Sequence, residues 1–145
     1  ESTRQAVLAG MRGSVAYGSS RRAALRAVPV GGKTGTAQVA SNERMAEDNE
    51  DRPYELRNHA WFVAVAPIDD PEIALAVFLE HGGSGGRNAA PVGAHILASW
   101  FGLPPEEILF QEIPPFAQPP ADSAGGEAIA PMADRDEAVG PGGAR

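Results

Sequence analysis

Eleven of the twelve basic residues of this chain are Arg, and the one lysine, Lys33, stands in Gly31-Gly-Lys-Thr-Gly-Thr36. A surface charge in so Arg-rich a chain could equally be Arg, so an ammonium at this position needs its own reason. Unlike a guanidinium, an ammonium is compact, turns freely and can exchange a proton when its surroundings favour it. Thr34 and Thr36 place hydroxyls on either side of Gly35, which removes a side chain so that another group can approach the backbone. A lysine flanked by hydroxyls on a narrow strand suits proton exchange. The tripeptide alone is equally compatible with a loop lysine ahead of an edge strand.

Three other patterns compete. A phosphate-binding loop needs Gly-x4-Gly-Lys-[Ser/Thr] running into a helix, but Ala27 stands where the first Gly belongs, Pro29 lies inside the loop, and Thr36-Ala-Gln-Val39 continues as a strand. Gly82-Gly-Ser-Gly-Gly86 has the Gly-x-Ser-x-Gly form of a nucleophile turn. The only later histidine is His95, with no acid between it and Ser84, so Ser84 reads as a loop serine. His59, His81 and His95 show no metal-ligand spacing, and no metal or cofactor is expected.

The elements that must position these residues follow from periodicity. Val7, Leu8, Met11 and Val15 predict a helix over Ser2–Tyr17. A basic stretch, Ser19–Val28, is ambiguous, and Pro29 and Gly31-Gly32 imply an extended, loosened backbone before a strand at Thr34–Ser41. Residues 42–58, with six acids and three Arg, read as a solvated loop. His59–Ala66 and Ile73–Glu80 are strands joined by a polar turn, apolar on both faces as in a sheet covered on both sides. Gly82–Arg87 reads as a flexible loop and Pro91–Phe101 as a helix packing through Val92, Ile96, Leu97 and Trp100. Trp61, Phe62, Trp100 and Phe101 read as core aromatics. The fold class is α+β, an antiparallel sheet flanked by helices.

With this order in place, Gly32-Lys-Thr-Gly-Thr-Ala-Gln-Val39 resembles the third active-site motif of penicillin-binding proteins and serine β-lactamases. His59-Ala-Trp-Phe-Val-Ala-Val-Ala-Pro67, Asp70-Pro-Glu-Ile-Ala-Leu-Ala-Val77, Glu80-His-Gly-Gly83 and Ala90-Pro-Val92 follow in the family's order. The chain over roughly residues 5–102 is similar to the C-terminal part of a class B transpeptidase domain, most of all the elongation-type penicillin-binding protein 2 branch. The resemblance implies a serine β-lactamase/transpeptidase-like fold. It implies a peptidoglycan D,D-transpeptidase that cross-links stem peptides ending in D-Ala-D-Ala through a serine acyl-enzyme and binds β-lactams. Lys33 would face the nucleophilic serine and its proton network, and Thr34 and Thr36 would offer hydroxyls to the substrate carboxylate. The Thr36 backbone N–H would serve the oxyanion hole, and Gly35 would keep the strand edge open. The implied setting is the periplasmic side of the bacterial inner membrane, held by an upstream anchor and working with the cell-wall elongation machinery. A non-catalytic penicillin-recognising module, a D,D-carboxypeptidase and a β-lactamase are the alternatives.

The departures are as informative. The family's nucleophile lies in Ser-x-x-Lys, but Lys33 is the only lysine and position 30 is Val, so no nucleophile is expected in this chain; a Ser-x-Asn triplet is also absent. Composition divides at about residue 102: residues 1–102 form the transpeptidase portion, and 103–145 a Pro-, Ala- and acid-rich tail that is expected to be largely disordered. That tail holds eight acids and two Arg, which is six of the seven net negative charges. No basic stripe remains to serve nucleic acid, no Cys is present, and no apolar run approaches the ~20 residues of a membrane span. Starting on Glu1, the chain reads as a piece of a longer protein. Expressed alone it should take no covalent label from a fluorescent penicillin; a labelled band that survives boiling would reveal a nucleophile in these 145 residues.

Overall fold

A computed structural model describes residues 2–39 and 49–110. Helix α1 spans Ser2–Ala16, β1 Gly31–Ala37, β2 His59–Ala66, β3 Ile73–Leu79 and α2 Ala90–Trp100, with 3-10 turns at Arg21–Ala23, Asn49–Asp51, Tyr54–Leu56 and Pro105–Glu107. The sheet is antiparallel in the order β1-β2-β3, with Gly32 opposite Ala64, Thr34 opposite Phe62 and Thr36 opposite Ala60. This is the expected α+β arrangement.

Strand β1 begins at Gly31, three residues before its expected start. The two glycines do not loosen the backbone; they admit neighbours. A Cβ on Gly32 would stand 2.6 Å from Cε2 of Phe62, and one on Gly31 would overlap the side chain of Ile68. On the other side of the same ring, a Cβ on Gly93 of α2 would stand 2.5 Å from both Cδ1 and Cε1 of Phe62. The ring is fully buried between strand and helix. This close approach explains why α2 packs through Ala90, Pro91, Gly93, Ala94, Leu97 and Ala98 rather than through its largest residues. Of the face expected from periodicity, Leu97 is in the core, whereas Ile96 and Trp100 point outward and Trp100 is 62% exposed.

Only one face of the sheet is covered by α2. Side chains directly opposite one another share a face, so Ala60, Phe62 and Ala64 lie under the helix, while Lys33, Val63, Trp61 and Phe78 share the other face. There Trp61 and Phe78 stack with centroids 4.6 Å apart and remain 40% and 47% exposed. Among the strands, helix α1 packs mainly against β1, so among the described residues the expected cover on both faces is met in full on one and only in part on the other, and Trp61 is not a core aromatic.

Two further segments differ from expectation. Gly85–Ala89 forms a turn of π-helix leading into α2, in place of a flexible loop, because the Ser84 hydroxyl accepts a hydrogen bond from Arg87 N at 3.3 Å. Residues 49–58 are fastened instead of freely solvated: Asn49 Oδ1 accepts from Asn58 N at 2.7 Å, and Arg52 is 7% exposed. Residues 42–48 of that loop lie outside the described residues. Beyond residue 102 the chain stays packed at least to Ile108, which is in the core and bridges Leu25; residues 111–145 lie outside the described residues. Gly93→Leu should cost about 1–3 kcal/mol in a denaturant melt of the full-length protein through overpacking against Phe62. Gly10→Ala, whose added Cβ meets nothing within 4 Å, should gain up to ~1 kcal/mol by helix propensity. Equal stability of the two variants would contradict the Phe62 contact.

Candidate active-site wall

Among the described residues strand β1 is a sheet edge, and its pleat divides the motif between two hollows. Lys33 shares one of about 580 Å3 with Val7, Met11, Tyr17 and Val63. Thr34 and Thr36 line the other, of about 430 Å3, together with Ser19, Arg22 and Ser84 among others. The four candidate residues therefore sit on one strand, but the lysine and the threonines face opposite ways, as alternation along a strand requires. The Lys33 ammonium donates to the carbonyl of Thr34 at 2.5 Å, which lays it along the strand. The Thr34 hydroxyl lies 2.7 Å from that of Ser19. At Gly35 the strand is closely overlaid: a side chain at position 85 would strike the carbonyl oxygens of Gly35 and Trp61, so Gly85 must be glycine.

Ser84 reaches the threonine hollow, but no described residue there is a histidine or a carboxylate that could serve it as a base. Its hydroxyl caps the turn at Arg87 N, and His95 belongs to a separate surface with Ile96, Ser99 and Trp100. His59 and His81, unrelated by sequence spacing, are brought together by the β2–β3 hairpin with ring centroids 4.7 Å apart. His59 Nδ1 accepts from His81 N at 2.9 Å, and the His81 ring bonds the carbonyl of Arg57 at 3.0 Å. Tyr54 lies against His81. This cluster fastens the segment before β2 to the hairpin end. The residues that sequence reasoning passed over are Ser19, Arg21 and Arg22; the signal available was a basic pair a few residues ahead of the lysine strand.

Comparison with known proteins adds a frame. The family model for the penicillin binding protein transpeptidase domain matches residues 1–98. The peptidoglycan D,D-transpeptidase MrdA of Haemophilus influenzae is 41% identical over 86 residues, covering 58% of this chain and 13% of that protein. The transpeptidase domain of the FtsI4 D,D-transpeptidase from Legionella pneumophila superposes with a TM-score of 0.54 at 26% identity, over 67% of this chain and 34% of that one. Penicillin-binding protein PBP2 from Helicobacter pylori, solved in complex with MreC, gives 0.53 at 27% identity, over 68% and 18%. The chain thus spans about an eighth of the length of the curated relative it matches. Among the described residues no helix is long and apolar enough to cross a membrane. Replacing Ser84 by Ala should leave labelling of the full-length protein by a fluorescent penicillin unchanged while costing roughly 0.5–2 kcal/mol of stability as a lost cap; loss of label with an unchanged melt would make Ser84 the nucleophile.

Proposed function

The chain belongs to the penicillin-binding protein transpeptidase family, on its PBP2-like class B side, and we propose that it forms the lysine-threonine-glycine wall of a peptidoglycan D,D-transpeptidase acting through a serine acyl-enzyme. The observation that carries this reading is the open outer side of β1: in the order β1-β2-β3 no described strand pairs there. In an antiparallel pair, alternate residues turn their N–H and C=O away from the partner. The crowding of position 85 against the carbonyl oxygens of both Gly35 and Trp61 fits a pair bonded to each other across the ladder. Thr34 and Thr36 would then offer their backbone groups outward. A stem peptide ending in D-Ala-D-Ala would lie beside them as an added strand.

In this account a serine on another part of the protein attacks the carbonyl of the penultimate D-Ala. Its proton passes into a network that includes the Lys33 ammonium and then to the departing D-Ala amine. The Thr36 N–H donates to the oxyanion formed at the attacked carbonyl, an interaction worth ~2.7–4 kcal/mol in the transition state. The Thr34 and Thr36 hydroxyls receive the substrate carboxylate. An acceptor amine from a second stem peptide then attacks the acyl-enzyme carbonyl; the new amide bond replaces the ester, and the proton the amine gives up returns through the same network to the serine oxygen. A β-lactam would acylate the same serine. The isolated chain, lacking that serine, would be inactive. The site would lie on the periplasmic side of the inner membrane, and by likeness to the PBP2 solved with MreC it would work within the elongation machinery.

Thr36→Pro removes the proposed donor at a position where an edge strand tolerates proline. Acylation of the full-length protein by a fluorescent penicillin should fall about 100–1,000-fold, with the melting temperature nearly kept. Lys33→Ala should also abolish fast acylation. Wild-type rates in both variants would dismiss β1 as the wall.

A further inference from the structure

The hollow beside Thr34 and Thr36 carries more positive charge than two hydroxyls supply. Arg21, Arg22 and Arg87 line it, and no Asp or Glu among the described residues does. The backbone bearing Arg21 and Arg22 is fixed before any ligand arrives. Ser20 is fully buried, with its hydroxyl 2.7 Å from that of Ser14 and its N–H donating to the Ser14 carbonyl at 3.0 Å. Ala23, which closes the turn through a 2.8 Å bond to the Ser20 carbonyl, is fully buried as well. Among the described residues neither guanidinium has an ion-pair partner, whereas Arg12 is paired with Asp69. Two cations held on a pinned turn at a hydroxyl-lined hollow are arranged for an anion.

We infer that Arg21 and Arg22 recognise a carboxylate: together with the Thr34 and Thr36 hydroxyls they grip the terminal carboxylate of a peptide laid along the open edge of β1. This rests on the proposed reading of β1 as the substrate wall and adds specificity-determining residues to it. A guanidinium presents two parallel N–H donors that match the two oxygens of a carboxylate, and each bond is charge-assisted. Arg87 adds to the local positive field. A peptide whose terminus is a neutral amide gives these groups no charge to pair with, so the site should select free acids. Pinning of the turn at Ser20 and Ala23 lowers the ordering cost on binding.

The test is fluorescence anisotropy of the full-length protein with dye-labelled peptides ending in D-Ala-D-Ala, one as the free acid and one as the carboxamide. The wild type should bind the acid about tenfold more tightly. Arg21→Gln and Arg22→Gln should each lower that ratio, the double variant should bring it below about threefold, and Arg22→Lys should retain part of it. Melting temperatures serve as the fold control, and the single and lysine variants carry the test where the double variant is unstable. An unchanged ratio overturns the inference, and so does equal weakening of acid and amide, which marks a structural effect. Failure of the substrate-wall reading looks different: Lys33→Ala would keep its penicillin acylation whatever the acid-to-amide ratio.

Discussion

The ring of Phe62, held between two glycines, is the contact on which the arrangement rests. Gly32 belongs to the strand that carries the motif and Gly93 to the helix that covers the sheet, and neither position has room for a Cβ. The ring therefore sets the distance from α2 to the sheet and holds the start of β1 against β2. Burying such a side chain contributes about 1.5–3 kcal/mol, and interiors packed this closely do not adjust in small steps. Lys33 and Thr34 follow Gly32 directly, so their positions along the edge are inherited from that packing. The two Gly-rich segments around β1 and α2 are therefore parts of one contact.

Alternation along β1 then apportions the chemistry. Lys33 shares its face with Val63 and the exposed Trp61 and Phe78, beside α1. The threonines open toward the basic turn at Arg21–Ala23 and the π-turn at Gly85–Ala89. In the proposed function these are complementary duties, proton handling on one side of an edge and carboxylate binding on the other, with the backbone between them addressing the reacting carbonyl. Only a strand with an open edge can present all three at once.

Much of this was legible in the sequence. The strands His59–Ala66 and Ile73–Leu79 and helix α1 announced themselves by apolar runs and 3.6-residue spacing, and the lone lysine marked the edge strand. The misreadings share a cause: local pattern ranks residues by size and polarity, while packing ranks them by fit. Helical spacing turns Ile96 and Trp100 inward with Leu97, yet the narrow gap over Phe62 admits Gly93 and Ala94 instead. Gly31-Gly32 reads as a break by propensity, but across the ladder it is the only pair that clears Ile68 and Phe62. Meetings across long sequence separations, such as Arg21 and Arg22 with Thr34 and Thr36, or His59 with His81, depend on how the chain folds back, which local pattern does not encode.

The most direct measurement is a crystal structure of the full-length protein after reaction with a penicillin. The account predicts the acyl carbonyl oxygen about 2.7–3.1 Å from the Thr36 backbone nitrogen, with the penicillin carboxylate beside the Thr34 and Thr36 hydroxyls. An acyl group whose carbonyl oxygen lies away from β1, or a β1 edge covered by another strand of the same protein, would contradict it.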